Sequence, residues 1–280
     1  MKKACFIFLL LLFAPISAWT QKGHQLQKTT LSDEAVVKRY LENGAYRYHY
    51  FSPEWQVYLD SAILLKPAMA YLYQQKAMPY FKQRKYQVGL HYLEKAVRLD
   101  SITYIDYQAF IKCIFSKDYE AAIHDFEIAK RLKGKNSYVM DHTYDFHIGL
   151  CHLQLADYKK ALFFFDKSIE HTRKTSGENW IHYLDLFYAG VTCQEMRQHK
   201  EALNYFNKAL VEYTTFSDAK YYKAISLFRT NQVELAEKTL AECEKDYKNG
   251  LTINEDNAIY EKYPYQIKQW NIDVLKIYKR

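Results

Sequence analysis

Small and large apolar residues alternate with polar ones in a pattern that occurs five times along the chain. In residues 157–169, small Ala161 is followed by Phe165 four places on and by small Ser168 three places later. Residues spaced i, i+4 and i+7 lie on one face of an α-helix. The small residues let a second helix approach closely, and the large residue fills the remaining gap. The other copies are Gly89, Leu93 and Ala96; Ala122, Phe126 and Ala129; Ala202, Phe206 and Ala209; and, more weakly, Ala236, Leu240 and Cys243.

A second apolar helix precedes each copy, and a turn residue separates the two. Four of these first helices carry a small residue nine or ten places before the turn residue, namely Ala77, Gly149, Gly190 and Ala224, whereas Phe110 breaks the pattern. The turn residues are Tyr86, Tyr119, Tyr158, His199 and Val233, spaced by 33, 39, 41 and 34 residues. The small residues of both helices are predicted to pack the repeats. The two longer spacings place extra residues in the connections 134–142 and 172–180.

This unit of two helices and a turn resembles the tetratricopeptide repeat, whose small, aromatic, small and bulky positions follow in the same order. The resemblance implies an all-α fold, a right-handed α-solenoid of stacked helix–turn–helix repeats. The opening tryptophan and the closing proline of the family pattern are absent here. The five repeats are expected at about 70–103, 104–136, 142–175, 183–216 and 217–250.

The flanking residues are expected to form atypical terminal units. Ser32 is predicted to cap a helix, and Pro53 stands where the first turn of a second helix tolerates proline. A degenerate helical hairpin is therefore expected over 32–69, after an extended segment at 19–31. Residues 251–280 are predicted to form capping helices that cover the open apolar end of the stack.

The first 18 residues have the three parts of a secretory signal peptide. Lys2 and Lys3 precede the apolar run 4–14, and small Ala18 is the expected last residue before cleavage. A membrane anchor is the alternative, but the run is shorter than the roughly 20 residues that a helical span needs. The sequence predicts an exported, soluble protein of the periplasm or cell envelope that does not span the membrane after signal removal.

Charge and cysteine usage narrow the possible partners and chemistry. The formal net charge of +7 falls to +5 without the signal peptide, and the basic residues are scattered, so no nucleic-acid partner is predicted. The remaining cysteines lie in separate helical patterns, where a small apolar filler fits. They are predicted to be unpaired and buried, with disulfide pairing as the alternative in an exported protein. They are Cys113, Cys151, Cys193 and Cys243.

No catalytic constellation is visible, and neither enzyme activity nor a cofactor is predicted. HExxH, GxSxG and GxxxxGK[ST] are absent from the sequence. His142, His147 and His152 are five residues apart, which turns each about 140° around a helix from the one before. They cannot share one helix face, so no metal site is predicted. Asp141, Asp145 and Asp185 are interpreted as caps and surface residues.

The resemblance implies that the first helix of each repeat forms a concave, partner-binding groove. The fifth and ninth residues of each repeat would project into this groove. The fifth residues are Gln74, Tyr107, Phe146, Phe187 and Tyr221, and the ninth residues are Met78, Ile111, Leu150, Val191 and Ile225. Exposed aromatic side chains are good anchors for a bound segment. The alternative is that these side chains pack against the next repeat. Apolar residues at these places make a clamp for terminal carboxylates improbable.

The resulting hypothesis is an exported, non-enzymatic protein–protein interaction module, with a protein or peptide partner in the concave groove and a possible role in an envelope complex. The alternative is a carbohydrate- or cell-wall-binding envelope protein that uses exposed aromatic residues. Tyrosine is abundant, with 27 residues, and suits sugar stacking as well as helix packing. The two hypotheses predict different behaviour of Trp180 and Trp270, which only the second requires for binding.

Overall fold

The computed structural model describes residues 31–277; the predicted signal peptide and residues 19–30 lie outside the described residues. A helical hairpin opens this part. Helix α1, Asp33–Val36, continues as a π-helical turn, Val37–Glu42, and is followed by a 3₁₀ turn, Ala45–Arg47, and helix α2, Pro53–Leu65. Ser32 Oγ accepts a hydrogen bond from the backbone N–H of Ala35 at 3.2 Å, which satisfies one of the free donors at the helix start.

Five helix pairs follow and stack into a right-handed α-solenoid, as the repeat pattern predicts. Every second helix begins at the turn residue read from the sequence. Helix α5 begins at Ser101, three residues before the expected start of the second repeat, because Asp100 caps it by accepting from Thr103 N–H. The pairs are α3 Ala70–Lys82 and α4 Tyr86–Leu99; α5 Ser101–Ile111 and α6 Tyr119–Lys133; α7 Tyr144–Gln154 and α8 Tyr158–Thr175; α9 Tyr183–Glu195 and α10 His199–Glu212; α11 Ser217–Arg229 and α12 Val233–Lys248.

The turn inside each pair is made in the same way. The residue two places before the second helix has a left-handed backbone, with φ between 57° and 61°. A left-handed residue ends a helix by redirecting the chain while its neighbours satisfy the last carbonyls. These residues are Arg84, Lys117, Ala156, Arg197 and Asn231. None is glycine, so each turn carries a modest conformational cost.

Small residues permit the close packing of paired helices. The twelve glycine and alanine residues predicted at the helix contacts are all buried. At Gly190 an added Cβ atom would lie 2.7 Å from the ring of Phe206, which is closer than carbon atoms tolerate. The large residue of the second helix therefore occupies the space that the glycine of the first helix leaves. The four cysteines predicted to be buried and unpaired are free and buried.

The two long connections have structure of their own. Tyr138–Val139 pairs antiparallel with His142–Thr143 to form strands β1 and β2 just before α7. The second connection lengthens α8 to Thr175 and then forms a 3₁₀ turn, Glu178–Trp180. Both insertions lie at the start of a first helix, so they place side chains next to the N-terminal ends of α7 and α9.

The C-terminal part differs from the expected set of capping helices. Helix α13, Gln269–Ile277, covers the last repeat, where Ile267 and Ile272 pack with Leu240 and Cys243. Residues 252–267 form neither helix nor strand. Their two ends contact the last repeat, and the residues between them contact the first helices and turns of earlier repeats. Among the helices of residues 31–277, none has the length and apolarity needed to span a membrane.

Candidate functional site

Residues 252–267, which we call the groove loop, lie on the side of the solenoid formed by the first helices. Both ends of the loop are bound by Asp218, in the first turn of α11. Its Oδ2 accepts from Thr252 Oγ1 at 2.6 Å and from Ile253 N at 3.0 Å, and its Oδ1 accepts from Ile267 N at 2.7 Å. One buried carboxylate therefore closes a loop of 16 residues.

The outgoing part of the loop passes the N-terminal ends of α9 and α7. Asn254 N donates to Tyr183 Oη at 3.5 Å, and Glu255 Oε2 lies 3.3 Å from His142 Nε2. Burial raises the pKa of Glu255 to about 7 and lowers that of His142 to about 4. Near neutral pH, the pair at the edge of the β1–β2 insertion therefore consists of a neutral imidazole and a partly ionised carboxyl group.

The tip of the loop is bound by cationic residues from the turns of the first two repeats. The Tyr86 hydroxyl donates to Glu261, whose carboxylate also lies 3.2 Å from Lys117 Nζ and 3.9 Å from Arg84 Nε. Arg84 Nη2 donates to the carbonyl oxygen of Tyr260 at 3.3 Å. Burial, and then the hydrogen bond to Glu261, raise the pKa of Tyr86 to about 12. Arg84 and Lys117 both occupy the left-handed position in the turn of their repeat, so the same turn geometry places both cations next to the tip.

The returning part of the loop crosses α9 and α11. Tyr188 Oη donates to the carbonyl oxygen of Pro264 at 3.0 Å, and Tyr265 Oη donates to Glu195 Oε1 at 2.9 Å. The Tyr265 ring lies 5.7 Å from that of Tyr222 on α11. Tyr263 is buried, 4% exposed, within the main apolar core. The loop thus extends from the last repeat to the first and back along the first helices.

The predicted aromatic row is not exposed in the groove, and for its central members the expectation is wrong. Phe146 and Phe187 are fully buried, and Tyr221 is 9% exposed. Phe146 contacts Phe165 of its own repeat and Tyr188 of the next, while Phe187 contacts Phe206 and Tyr222 in the same way. The fifth place therefore points between consecutive repeats.

One residue later in the first helix, Tyr188 and Tyr222 pack against the preceding repeat and also contact the groove loop. A shift of one residue turns a side chain by about 100° around a helix, which brings these two tyrosines from the inter-repeat layer to the edge of the groove. The prediction therefore selected helices that contact the groove loop, but the side chains that make the contact lie one residue further along them.

The predicted aliphatic row is mostly buried as well. Ile111, Leu150 and Val191 are no more than 1% exposed. Ile225 is half-buried and lines a separate cavity with Arg229. Met78 is also half-buried, and with Tyr107 it lines a cavity of about 320 Å³ whose other side is the tip of the groove loop. Gln74, the polar fifth place of the first repeat, donates to the Met78 sulfur at 2.8 Å.

A group of titratable residues at the outgoing part of the loop, two of them buried and one half-buried, was not predicted. His142, His182 and Asp185 come together from β2 and from the start of α9. Burial lowers the pKa of His182 to about 4 and raises that of Asp185 to about 7. Their separations of 40 and 3 residues follow no local motif, so only the stacking of the third repeat on the fourth brings them together.

Comparison with known proteins supports the repeat assignment. The family model described as tetratricopeptide repeat matches residues 146–174, the helix pair α7–α8. Stress-induced-phosphoprotein 1 of Caenorhabditis elegans is 32% identical over 84 residues, 30% of this chain; the chain spans about a quarter of that protein, 26% of its length.

Solved structures share the fold at low sequence identity. PilW, a type IV pilus biogenesis factor, has a TM-score of 0.61 at 11% identity over 77% of this chain and 93% of its own. A tetratricopeptide repeat protein of Parabacteroides merdae has a TM-score of 0.60 at 16% identity over 76% and 79%. MamA of Desulfovibrio magneticus has 0.54 at 14% identity over 65% and 96%. At these identities the likeness establishes the solenoid architecture.

Proposed function

Because this chain is built of tetratricopeptide repeats, we propose that it is a non-enzymatic interaction protein that binds a segment of a protein partner on the surface of its first helices. The groove loop occupies that surface in the free protein, and the partner takes its place. The supporting observation is the set of polar contacts between the groove loop and the first four repeats, which extends along the groove. This surface already binds an irregular peptide segment, so it has the chemistry that the proposed function requires.

The contacts of the loop indicate what a partner segment would contain. Arg84 and Tyr188 donate to backbone carbonyl oxygens of the loop, and such bonds are available to any sequence. The cations at the tip bind the Glu261 carboxylate, and charge-assisted bonds of this kind are stronger and more selective. We therefore expect a partner segment with an acidic residue next to an aromatic one, which is the chemistry of Tyr260 and Glu261.

A partner can replace the loop only if the loop is not bound too tightly to the surface of the first helices. Only three of its residues, Ile253, Tyr263 and Ile267, are buried, and Ile259 near the tip is 79% exposed. Two of the three buried residues adjoin the Asp218 anchor points. Release of the tip around Ile259 therefore leaves both ends of the loop and the buried Tyr263 in place.

The test uses a fluorescent peptide with the sequence of residues 252–267 and the full-length protein. Tyr260→Ala with Glu261→Gln weakens the attachment of the protein's own tip, so the labelled peptide is expected to bind this variant at least about tenfold more tightly than wild type, because the open fraction rises. Ile259→Ala is the matched control, since its side chain is exposed, and it should behave as wild type. Absence of peptide binding to the folded double variant, shown by circular dichroism, would contradict the proposed function.

The carbohydrate alternative has one supporting observation. Trp180 and Trp270 are 73% and 58% exposed, and an exposed indole is a good surface for stacking on a sugar ring. Binding of the protein to cell-wall polysaccharide that is lost in Trp180→Ala but kept in the Tyr260→Ala/Glu261→Gln variant would favour this function. Polysaccharide binding that is unchanged in both variants would argue against the carbohydrate-binding function.

Export is part of the proposal and rests on the signal-peptide pattern of residues 1–18. N-terminal sequencing of the protein from its native host is expected to find Trp19 as the first residue. A protein that retains Met1 would contradict export by cleavage of a signal peptide.

A further inference from the structure

Three side chains with metal-binding atoms meet beneath the outgoing part of the groove loop. His142 belongs to β2, His182 stands at the N-cap of α9, and Asp185 lies in the first turn of that helix. One potential ligand atom from each lies within 4.8 Å of the others. His142 and Asp185 are 3% and 6% exposed. Two imidazoles and a carboxylate are the donor set of many zinc sites.

Two buried polar atoms in this group are not satisfied. Within residues 31–277, His142 Nδ1 and Asp185 Oδ1 have no hydrogen-bond partner. A buried polar atom without a partner costs about 1–3 kcal/mol, so a ligand that bound both atoms would recover that cost. The two side chains also face each other, with His142 Nδ1 at 3.9 Å from Asp185 Oδ2. The unsatisfied atoms therefore belong to one cluster.

Glu255 of the groove loop orients His142 for metal binding. Its Oε2 lies 3.3 Å from His142 Nε2, on the opposite side of the ring from Asp185. When Nε2–H donates to this carboxylate, Nδ1 carries the lone pair and faces the cluster. Metal-bound histidines are held in this manner, with the second ring nitrogen donating to a carboxylate. The His142 ring is also stacked on Phe146 at 4.0 Å, which limits its rotation.

We propose that His142 Nδ1, His182 and Asp185 form a binding site for Zn²⁺, with Glu255 as the outer partner of His142. A tetrahedral site needs metal–ligand distances of about 2.0–2.2 Å, so the three ligand atoms must approach one another by roughly 1 Å. Zinc binding also removes the 3.3 Å hydrogen bond that His182 Nδ1 accepts from Leu184 N. If Nδ1 binds the metal, its lone pair is used, and if Nε2 binds the metal, Nδ1 carries the proton.

The surroundings of the cluster favour a cation that arrives from solvent. All three residues line an open cavity of about 330 Å³, whose wall includes the exposed Trp180. The cavity leaves room for a water molecule as fourth ligand. The charged neighbours are carboxylates, since Asp141 and Glu255 both act on the pKa of His182. Bound zinc would link the third repeat, the fourth repeat and, through Glu255, the groove loop.

The test uses full-length protein freed of metal with a chelator, Co²⁺ as a visible probe and Zn²⁺ as its competitor. One equivalent of Co²⁺ is expected to produce the d–d absorption of a four-coordinate ion, and Zn²⁺ should displace it. Asp185→Asn should weaken binding by more than about 100-fold, and Glu255→Gln, which removes only the outer partner, by about 10–100-fold. Asp256→Asn, a neighbouring exposed carboxylate, is the matched control and should bind as wild type.

Two results would overturn the proposal. One is a wild-type protein that gives no such absorption and no Zn²⁺-dependent rise in melting temperature. The other is equal binding by wild type and Asp185→Asn, which would place the metal elsewhere on the chain. The Asn variant has nearly the same shape as Asp185, and circular dichroism of the metal-free forms checks that it folds.

Discussion

The Asp218 carboxylate offers the sharpest test of how the groove loop is held. It receives hydrogen bonds from Thr252, Ile253 and Ile267, and the last two come from backbone N–H groups at opposite ends of the loop. Asp218→Asn keeps the size of the side chain but replaces one oxygen with an NH₂ group. Whichever way the amide is turned, one of the two backbone N–H groups then faces a donor. The variant is expected to release one end of the loop.

The magnitude follows from the number and type of bonds lost. A hydrogen bond to a charged group contributes about 1.5–3 kcal/mol, and the Asn oxygen can still serve one end of the loop. Burial raises the pKa of Asp218 to about 6 in spite of these bonds, so removing the charge recovers part of its desolvation cost. The two effects oppose each other, because the raised pKa means that this site favours an uncharged side chain. We therefore expect a net loss in the free energy of unfolding of no more than about 1 kcal/mol, together with release of one end of the loop.

Urea denaturation measures the loss of global stability, and hydrogen exchange of the Ile253 and Ile267 amides measures the local release. One of the two amides should lose protection, and trypsin should cut faster after the exposed Lys262. Thr252→Val is the control, because it removes one side-chain bond and leaves both backbone bonds in place. Unchanged protection of both amides in Asp218→Asn would refute the idea that this carboxylate closes the loop.

Three further predictions concern the repeats and pH. An alanine Cβ would lie 3.0 Å from the nearest ring atom at Gly149, 2.7 Å at Gly190 and 2.5 Å at Gly89. The melting temperatures of the three Gly→Ala variants should therefore fall in that order, with losses of about 1–3 kcal/mol at Gly190 and Gly89. Equal melting temperatures would contradict this packing. Ala156 has φ of 58°, a left-handed backbone that glycine adopts at lower cost than alanine. Ala156→Gly should therefore raise the free energy of unfolding by about 1 kcal/mol in urea melts. A decrease in the free energy of unfolding would show that the turn is not strained. Burial raises the pKa of Asp218 from 3.8 to about 6, so the folded form binds the extra proton as the pH falls. Between pH 7 and pH 4, wild type should therefore gain about 2 kcal/mol over Asp218→Asn in urea melts. A constant difference would contradict the shift.

The helix pairs were predictable because their signals are local. The first residues of the second helices, such as Tyr86 and Tyr158, were assigned from periodicity and turn position alone. The small residues that face a ring, such as Gly190 opposite Phe206, were also recognisable, since two helices joined by a short turn must pack against each other. A family pattern adds five partly independent copies of the same signal, which makes the architecture much clearer than any single copy.

The exact lining of the groove was not predictable to the same degree. Phe146 and His147 are adjacent on one helix, Phe187 and Tyr188 are the equivalent pair in the next repeat, and all four are fully buried. The second residue of each pair has a different partner, since Tyr188 donates to the groove loop whereas His147 Nε2 lies 3.2 Å from the carbonyl oxygen of Val139 in β1. The choice depends on the rotation of each repeat on the next and on what covers the concave side. Periodicity in one helix does not contain that information.

The sequence by itself determined the array of helices, its repeat length and the small residues at its contacts, because these depend on residues within about forty positions of one another. Only the tertiary structure decided that residues 252–267 return along the groove and are closed by Asp218, and that His142, His182, Asp185 and Glu255 meet. These contacts join residues up to 176 positions apart, as between Arg84 and Tyr260. The groove loop has no helical or strand periodicity of its own, so its position is set by the surface on which it lies.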